Sequence, residues 1–160
     1  MHWQEVCEDS TLQNLPYKIE LNKEGHIVMS PAKNRHSVLQ GQIQRLLNQL
    51  TDEPSKAFPE CAINTEDGVK VADVVWISST RYQQVKDQIA YDIAPEICIE
   101  VLSASNTPHE MRRKTNLYLQ AGAEEVWICD EQGHLQFYHQ SGEIQHSLLL
   151  AQFPQQIVVD

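Results

Sequence analysis

The sequence predicts an α/β or α+β domain built on a mixed central β-sheet flanked by helices. Three observations carry that prediction. Segments with strand-like alternation and segments with helical periodicity follow one another as hairpin, helix, strands, helix, strands. Apolar residues make up 41% and charged residues 21% of the 160 positions, as in globular proteins. A chain of this length buries roughly two-thirds of its unfolded surface, so it needs neither disulfides nor a structural metal to hold a core. No linker, repeat or low-complexity tract divides the chain, and residues 1–160 are read as a single domain.

The elements follow in order. Tyr17–Leu21 and Gly25–Ser30 flank Asn22-Lys23-Glu24 and read as an N-terminal hairpin, ended by Pro31. From Asn34 to Leu50 the residues Leu39, Ile43, Leu46, Leu47 and Leu50 form a helical stripe headed by His36. Ala57–Thr65 and Val69–Ile77 are strands joined by a turn at Glu66-Asp67-Gly68, and Ser79–Lys86 is a short helix. Pro95 precedes a strand over Glu96–Leu102. The next helix has the clearest local signals: Thr107 as N-cap, Pro108 at the first helical position, Glu110 completing a capping box and Gly122 as the stop. Glu124–Asp130 is a strand, and His134–His139 with Glu143–Leu150 make a C-terminal hairpin around Ser141-Gly142. The closing run Ile157-Val158-Val159-Asp160 reads as a final strand cut short or as an interface.

Twelve Lys and Arg against 22 Asp and Glu leave a net charge of −10. Such a chain does not hold nucleic acid by bulk electrostatics, because duplex binding depends on basic side chains displacing counterions. A DNA-handling function therefore needs a local basic patch or a metal. Cys7, Cys61, Cys98 and Cys129 form no CxxC pair, and Cys98 and Cys129 lie in apolar runs, so reduced core thiols in a cytoplasmic protein are expected. No signal-like segment precedes Trp3 and no stretch is long and apolar enough for a membrane span. Zincin, serine hydrolase, P-loop and dinucleotide motifs do not occur.

Three charged residues interrupt the apolar pattern. Asp73 shares a strand face with Val71, Val75 and Ile77, and Glu100 shares one with Cys98 and Leu102. Lys114 falls in the middle of the apolar arc of its helix, while Arg112 and Arg113 lie on the opposite face. Singly, each has an ordinary explanation: a sheet edge for either carboxylate, or a snorkelling Lys114 paired with Glu110. Together they point to chemistry. Two carboxylates about 4 Å apart repel by about 4 kcal/mol at an effective dielectric of about 20, which a divalent cation between them removes. A neighbouring lysine then suits charge stabilisation or water activation in phosphoryl chemistry.

The segments IELNKEGHIVMSPAKNRH, VADVVWI, PEICIEVLSASN and RRKTNLYLQAGAEEVWICD, in this order, resemble the Uma-type restriction endonucleases, bacterial members of the PD-(D/E)XK nuclease superfamily. The resemblance runs from about Tyr17 to Tyr138. It implies a restriction-endonuclease-like fold, with Asp73 and Glu100 as metal ligands and the Val101 carbonyl as the backbone ligand. Ala72 stands where the motif has proline, and Leu102 where it has lysine. Lys114 is the position that matches a lysine supplied by the following helix. Glu20 and His36 also match recurring positions: Glu20 as a further carboxylate at the metal site, His36 as a contact to substrate phosphate or to a ligand. Each has a plainer reading, an exposed hairpin carboxylate and a histidine packed on Leu39 and Ile43.

The expected function is a Mg²⁺- or Mn²⁺-dependent endodeoxyribonuclease, with Lys33, Arg35, Arg112 and Arg113 as candidate DNA-backbone contacts. A homodimer is expected, because duplex cleavage takes two cuts. The competing reading is a catalytically silent interaction domain on the nuclease fold, favoured by the net charge. A third is a nuclease acting on RNA, which the same residues would serve.

Overall fold

A computed structural model describes residues 1–31 and 33–159. The chain runs through α1 (Trp3–Glu8), a 3-10 turn at Ser10–Leu12, β1 (Tyr17–Leu21), β2 (Ile27–Pro31), α2 (Asn34–Leu50), β3 (Lys56–Thr65) and β4 (Gly68–Ile77). It continues through α3 (Ser79–Val85), β5 (Ile97–Val101), α4 (Pro108–Gln120), β6 (Glu125–Cys129), β7 (Leu135–His139) and β8 (Gly142–Ile144). The helix α1 was not anticipated from the sequence.

Strands β3 to β8 form one mixed sheet in sequence order. Only β5 and β6 are parallel, and α4 lies on the crossover between them. Alternation along the strands sorts the core into two faces. Val74, Ile97, Ile99 and Trp127 pack with Leu39, Ile43 and Leu47 of α2. Their neighbours Val75, Cys98, Val126 and Ile128 pack with Tyr118 and Leu119 of α4. Cys61, Cys98 and Cys129 are buried, as expected of core thiols, whereas Cys7 is exposed. The β1–β2 hairpin is a separate two-stranded sheet laid over β4. A third apolar cluster joins it to α1 through Val6, Leu21 and Val69.

Thr107, Pro108 and Gly122 bound α4 as read, but the expected capping box is not completed by Glu110. Thr107 Oγ1 accepts the Glu110 N–H at 3.1 Å, and Pro108 opens the helix. The Glu110 carboxylate turns to Asn106 Nδ2 at 3.4 Å rather than back to the cap. At the other end Gly122 takes φ +116, and the Ala123 N–H closes on the Tyr118 carbonyl at 3.0 Å.

The expected strand over Glu143–Leu150 is corrected: only Gly142–Ile144 pairs with β7. The fully buried Glu125 carboxylate captures the segment that follows, accepting from Ser147 Oγ at 2.7 Å and from the Leu148 and Leu149 N–H groups at 2.9 Å each. Those amides are spent on a side chain, so the ladder cannot continue. The terminal run is also not a full strand. Ile157 is buried against the core and donates to the Gly133 carbonyl at 2.8 Å, with one isolated bridge between His134 and Gln156.

Candidate active site

Asp73 and Glu100 sit on interior strands, which removes the sheet-edge explanation for both. β4 and β5 pair at Trp76 with Ile97, Val75 with Cys98 and Val74 with Ile99, where the ladder stops. The next residues in that register are Asp73 and Glu100. Their carboxylates therefore stand on one face of the sheet, both buried. The Val101 N–H, released from the ladder, donates to Asp73 Oδ2 at 2.8 Å. The Asp73 backbone is held from the other side: Gln40 Nε2 donates to its carbonyl at 2.8 Å and to Glu60 Oε1 at 2.7 Å. Glu60 stands across from Asp73 on β3, between the pairs Pro59 with Val74 and Cys61 with Ala72, and takes φ +57. A left-handed glutamate is strained, and it lies opposite the most buried acid of the cluster.

Lys18 of β1 reaches into this gap. Its ammonium donates to Asp73 Oδ1 at 3.1 Å and to Glu100 Oε2 at 2.9 Å. Lys114 comes from α4, pointing inward as its place on the helix requires, and bridges Glu20 Oε2 at 2.8 Å and Glu100 Oε1 at 3.1 Å. It does not pair with Glu110. Tyr118, one turn further along α4, donates its hydroxyl to Glu100 Oε1 at 2.6 Å. Glu20 is buried, with the Val71 N–H on its Oε2 at 2.7 Å, so it is not an exposed hairpin carboxylate. His36 turns from the apolar stripe to Asp73, with Nε2 at 3.2 Å from Oδ2. Its Nδ1 is buried without a hydrogen-bond partner among the described residues.

Three carboxylates face two ammonium groups, which leaves one negative charge in excess while His36 is neutral. The burial resists ionisation of Asp73, yet Lys18, His36 and the Val101 N–H hold it well below the usual carboxylate range. Glu20 is likewise lowered, burial being outweighed by Lys114 and Lys18. Glu100 goes the other way: burial raises it, and the two lysines offset this only in part against Asp73 and Glu20. Lys18 is raised well above its usual value, since Glu100, Asp73 and Glu20 together outweigh the burial.

The residue pattern pointed to Asp73, Glu100 and Lys114 and the resemblance added Glu20 and His36; the structure brings these five side chains together. Val101 is also there, engaging Asp73 through its N–H. Lys18 was missed, as were Gln40 and Tyr118. A signal for Lys18 existed: on a strand it shares a face with Glu20 two residues on. The four expected backbone-contact residues are exposed, and none lines the 330 Å³ cavity that opens onto the carboxylates. Arg35 Nε donates to the Glu131 carbonyl at 2.6 Å, and Arg113 pairs with Asp67 at 3.1 Å. Arg112 lines a separate cavity between α4 and the strands β6 to β8.

The sequence matches the family described as "Uma2: Putative restriction endonuclease" over residues 3–159. The chain belongs to this family. Among solved structures it is similar to "a putative nuclease belonging to DUF820 from Anabaena variabilis ATCC 29413", with a TM-score of 0.65 and 21% identity. That match covers 79% of this chain and 74% of the other, and at such identity it shows the fold. No curated protein matches the sequence. The Uma2 assignment extends the resemblance read from Tyr17–Tyr138 to nearly the whole chain. No helix among the described residues is long and apolar enough to cross a membrane.

Among the described residues no three His, Cys, Asp or Glu side chains are grouped to hold a metal alone. Mg²⁺, however, is commonly held by one or two carboxylates, with water and substrate phosphate completing its octahedron. Asp73 and Glu100 converge on one cation already, within an acidic excess. The residues fit such an ion.

Proposed function

We propose that this Uma2-family chain is a metal-dependent endonuclease hydrolysing phosphodiester bonds in DNA. The observation behind the reading is the convergence of Asp73 and Glu100 on a single cation, with Lys114 on the second oxygen of Glu100. Asp73 and Glu100 would hold Mg²⁺ or Mn²⁺, and the Val101 carbonyl is the backbone ligand the resemblance implies. A divalent ion there supplies Lewis acidity to a phosphodiester and acidity to the attacking water. Lys114, kept in place by Glu20, stabilises charge that develops on the phosphate. His36, bonded to Asp73, fixes the orientation of that carboxylate at the wall of the cavity. Lys33, Arg35, Arg112 and Arg113 serve the duplex outside the cavity as backbone contacts. Two copies of the chain would make the two cuts a duplex needs, and sedimentation velocity reads that stoichiometry directly.

A catalytically silent binding module on the same fold is the second reading. Lys18 favours it, because its ammonium bridges Asp73 and Glu100 without any metal. Calorimetry with Mn²⁺ decides between them and needs no substrate. The wild type should bind one or two ions, and Asp73→Ala and Glu100→Ala should each lose them. No heat from the wild type at millimolar Mn²⁺, with or without duplex DNA, would favour the silent module. Paired DNA and RNA duplexes of one sequence then test the substrate.

A further inference from the structure

We propose that Lys18 is a built-in competitor for the metal position: its ammonium holds Asp73 and Glu100 together in the metal-free protein and leaves when a divalent cation takes its place. The inference rests on the metal-dependent reading above and adds a control on that site.

Lys18 and Lys114 divide the labour. Lys114 touches Glu100 on Oε1 and has its second partner in Glu20, so it blocks neither facing oxygen. Lys18 alone bridges the gap, on Asp73 Oδ1 and Glu100 Oε2. A Mg²⁺ ion bonds carboxylate oxygens at about 2.0–2.1 Å and brings two charges. An ammonium 2.9–3.1 Å from the same two oxygens occupies the same space with the same sign. The two cations are mutually exclusive.

The exit for Lys18 is already present. The 330 Å³ cavity beside the carboxylates is lined in part by Lys18 itself and has room for about ten waters at about 30 Å³ each. The stem of Lys18 rises from β1, which among the described residues pairs only with β2 and has no ladder bonds to the main sheet. Rotating four methylenes into the cavity therefore breaks no backbone pairing. Glu20, on the same strand face, keeps its anchor on the Val71 N–H and on Lys114 while Lys18 moves. The lysine thus keeps two buried acids compatible with folding before metal arrives, and it sets a threshold of metal concentration for assembling the site.

The test compares Mn²⁺ binding by calorimetry and melting temperature in EDTA for the wild type, Lys18→Met and Lys18→Arg. Lys18→Met should bind Mn²⁺ at least tenfold more tightly, melt lower in EDTA, and regain the loss in saturating Mn²⁺. Lys18→Arg, which keeps the charge, should stay within threefold of the wild-type affinity. Equal or weaker binding by Lys18→Met overturns the competition and leaves the metal site standing. No binding by any of the three overturns the metal-dependent reading and this inference with it. Should Lys18→Met not fold, the wild type answers by nitrogen NMR of its lysine ammonium groups, with the Lys18 signal assigned through Lys18→Arg. That signal should be sharp in EDTA and be lost to solvent exchange once calorimetry shows Mg²⁺ bound. A signal unchanged by bound Mg²⁺ overturns the proposal.

Discussion

Asp73 and Glu100 face each other one residue beyond Val74 and Ile99, at the point where β4 and β5 cease to pair. Directly opposed like charges destabilise a sheet, so the ladder ends where the acids begin. The ending also has a use. It frees the Val101 N–H for Asp73 and opens a gap that a cation from the β1–β2 hairpin fills. One register position thus accounts for the opening, its acidity and its need for a positive partner.

Lys114→Met should separate chemistry from metal binding. The lysine touches Glu20 and Glu100 Oε1, away from the two oxygens that face each other. On a cleavable duplex the rate should fall by about 10²–10³, the usual effect of losing one charge-stabilising donor. Mn²⁺ stoichiometry by calorimetry should be unchanged. Undiminished cleavage by this variant would remove Lys114 from the mechanism.

His36 should leave a signature in the pH dependence of stability in EDTA. Its hydrogen bond to Asp73 raises the imidazole pKa, with burial working against it and the Asp73 charge adding to it. A pKa raised on folding contributes stability that is complete below the unfolded value of about 6.5 and is lost as pH rises through the folded value. The melting-temperature gap between wild type and His36→Gln should therefore be widest near about pH 5.5 and shrink toward about pH 8.5. Bound Mg²⁺ neutralises Asp73, so it should lower the His36 pKa measured by proton NMR. A gap that is flat or widens with pH would mean that His36 is held neutral.

The sequence disclosed what depends on neighbours along the chain. Thr107, Pro108 and Gly122 bound α4 by contacts within a few residues, and its 3.6-residue period sends Lys114 inward. Alternation placed Asp73 and Glu100 on buried faces. Lys18 escaped because a two-stranded hairpin usually has one face in water, and nothing in YKIEL tells that this one folds over β4. The strand pattern of Glu143–Leu150 failed for a similar reason. Glu125, some twenty residues upstream, outcompetes the ladder for its amides. The left-handed Glu60 has no local signal either, and the contact its side chain makes is with Gln40, from across the fold.

Gln40→Ala tests that last link. It strips the Asp73 carbonyl, buried at the broken ladder, of its donor. An unsatisfied buried carbonyl costs about 1–3 kcal/mol, readable by urea denaturation. Glu60→Gly should behave differently from most strand glycines. Relief of the left-handed strain, about 1–2 kcal/mol, offsets the extra chain entropy of glycine, about 0.5–1 kcal/mol, so stability should stay within about 1 kcal/mol of wild type.

Gly68 couples the hairpin to the site from a distance. It opens β4 at φ +77, and a Cβ there would clash with the Leu21 carbonyl oxygen and lie 2.6 Å from Asn22 backbone atoms. Leu21 ends β1, the strand that carries Lys18 and Glu20, and Asn22 follows it. Gly68→Ala therefore has two consequences. The left-handed alanine costs about 1–2 kcal/mol by itself. The backbone clash must also lift β1 away from β4, which lengthens the Lys18 contacts to Asp73 and Glu100. Chemical denaturation in EDTA should show a loss larger than the conformational cost alone. If Lys18 competes with metal, the same variant should bind Mn²⁺ more tightly than wild type although no ligand has been touched. A loss of stability with unchanged Mn²⁺ affinity would show that the hairpin reseats with Lys18 in place.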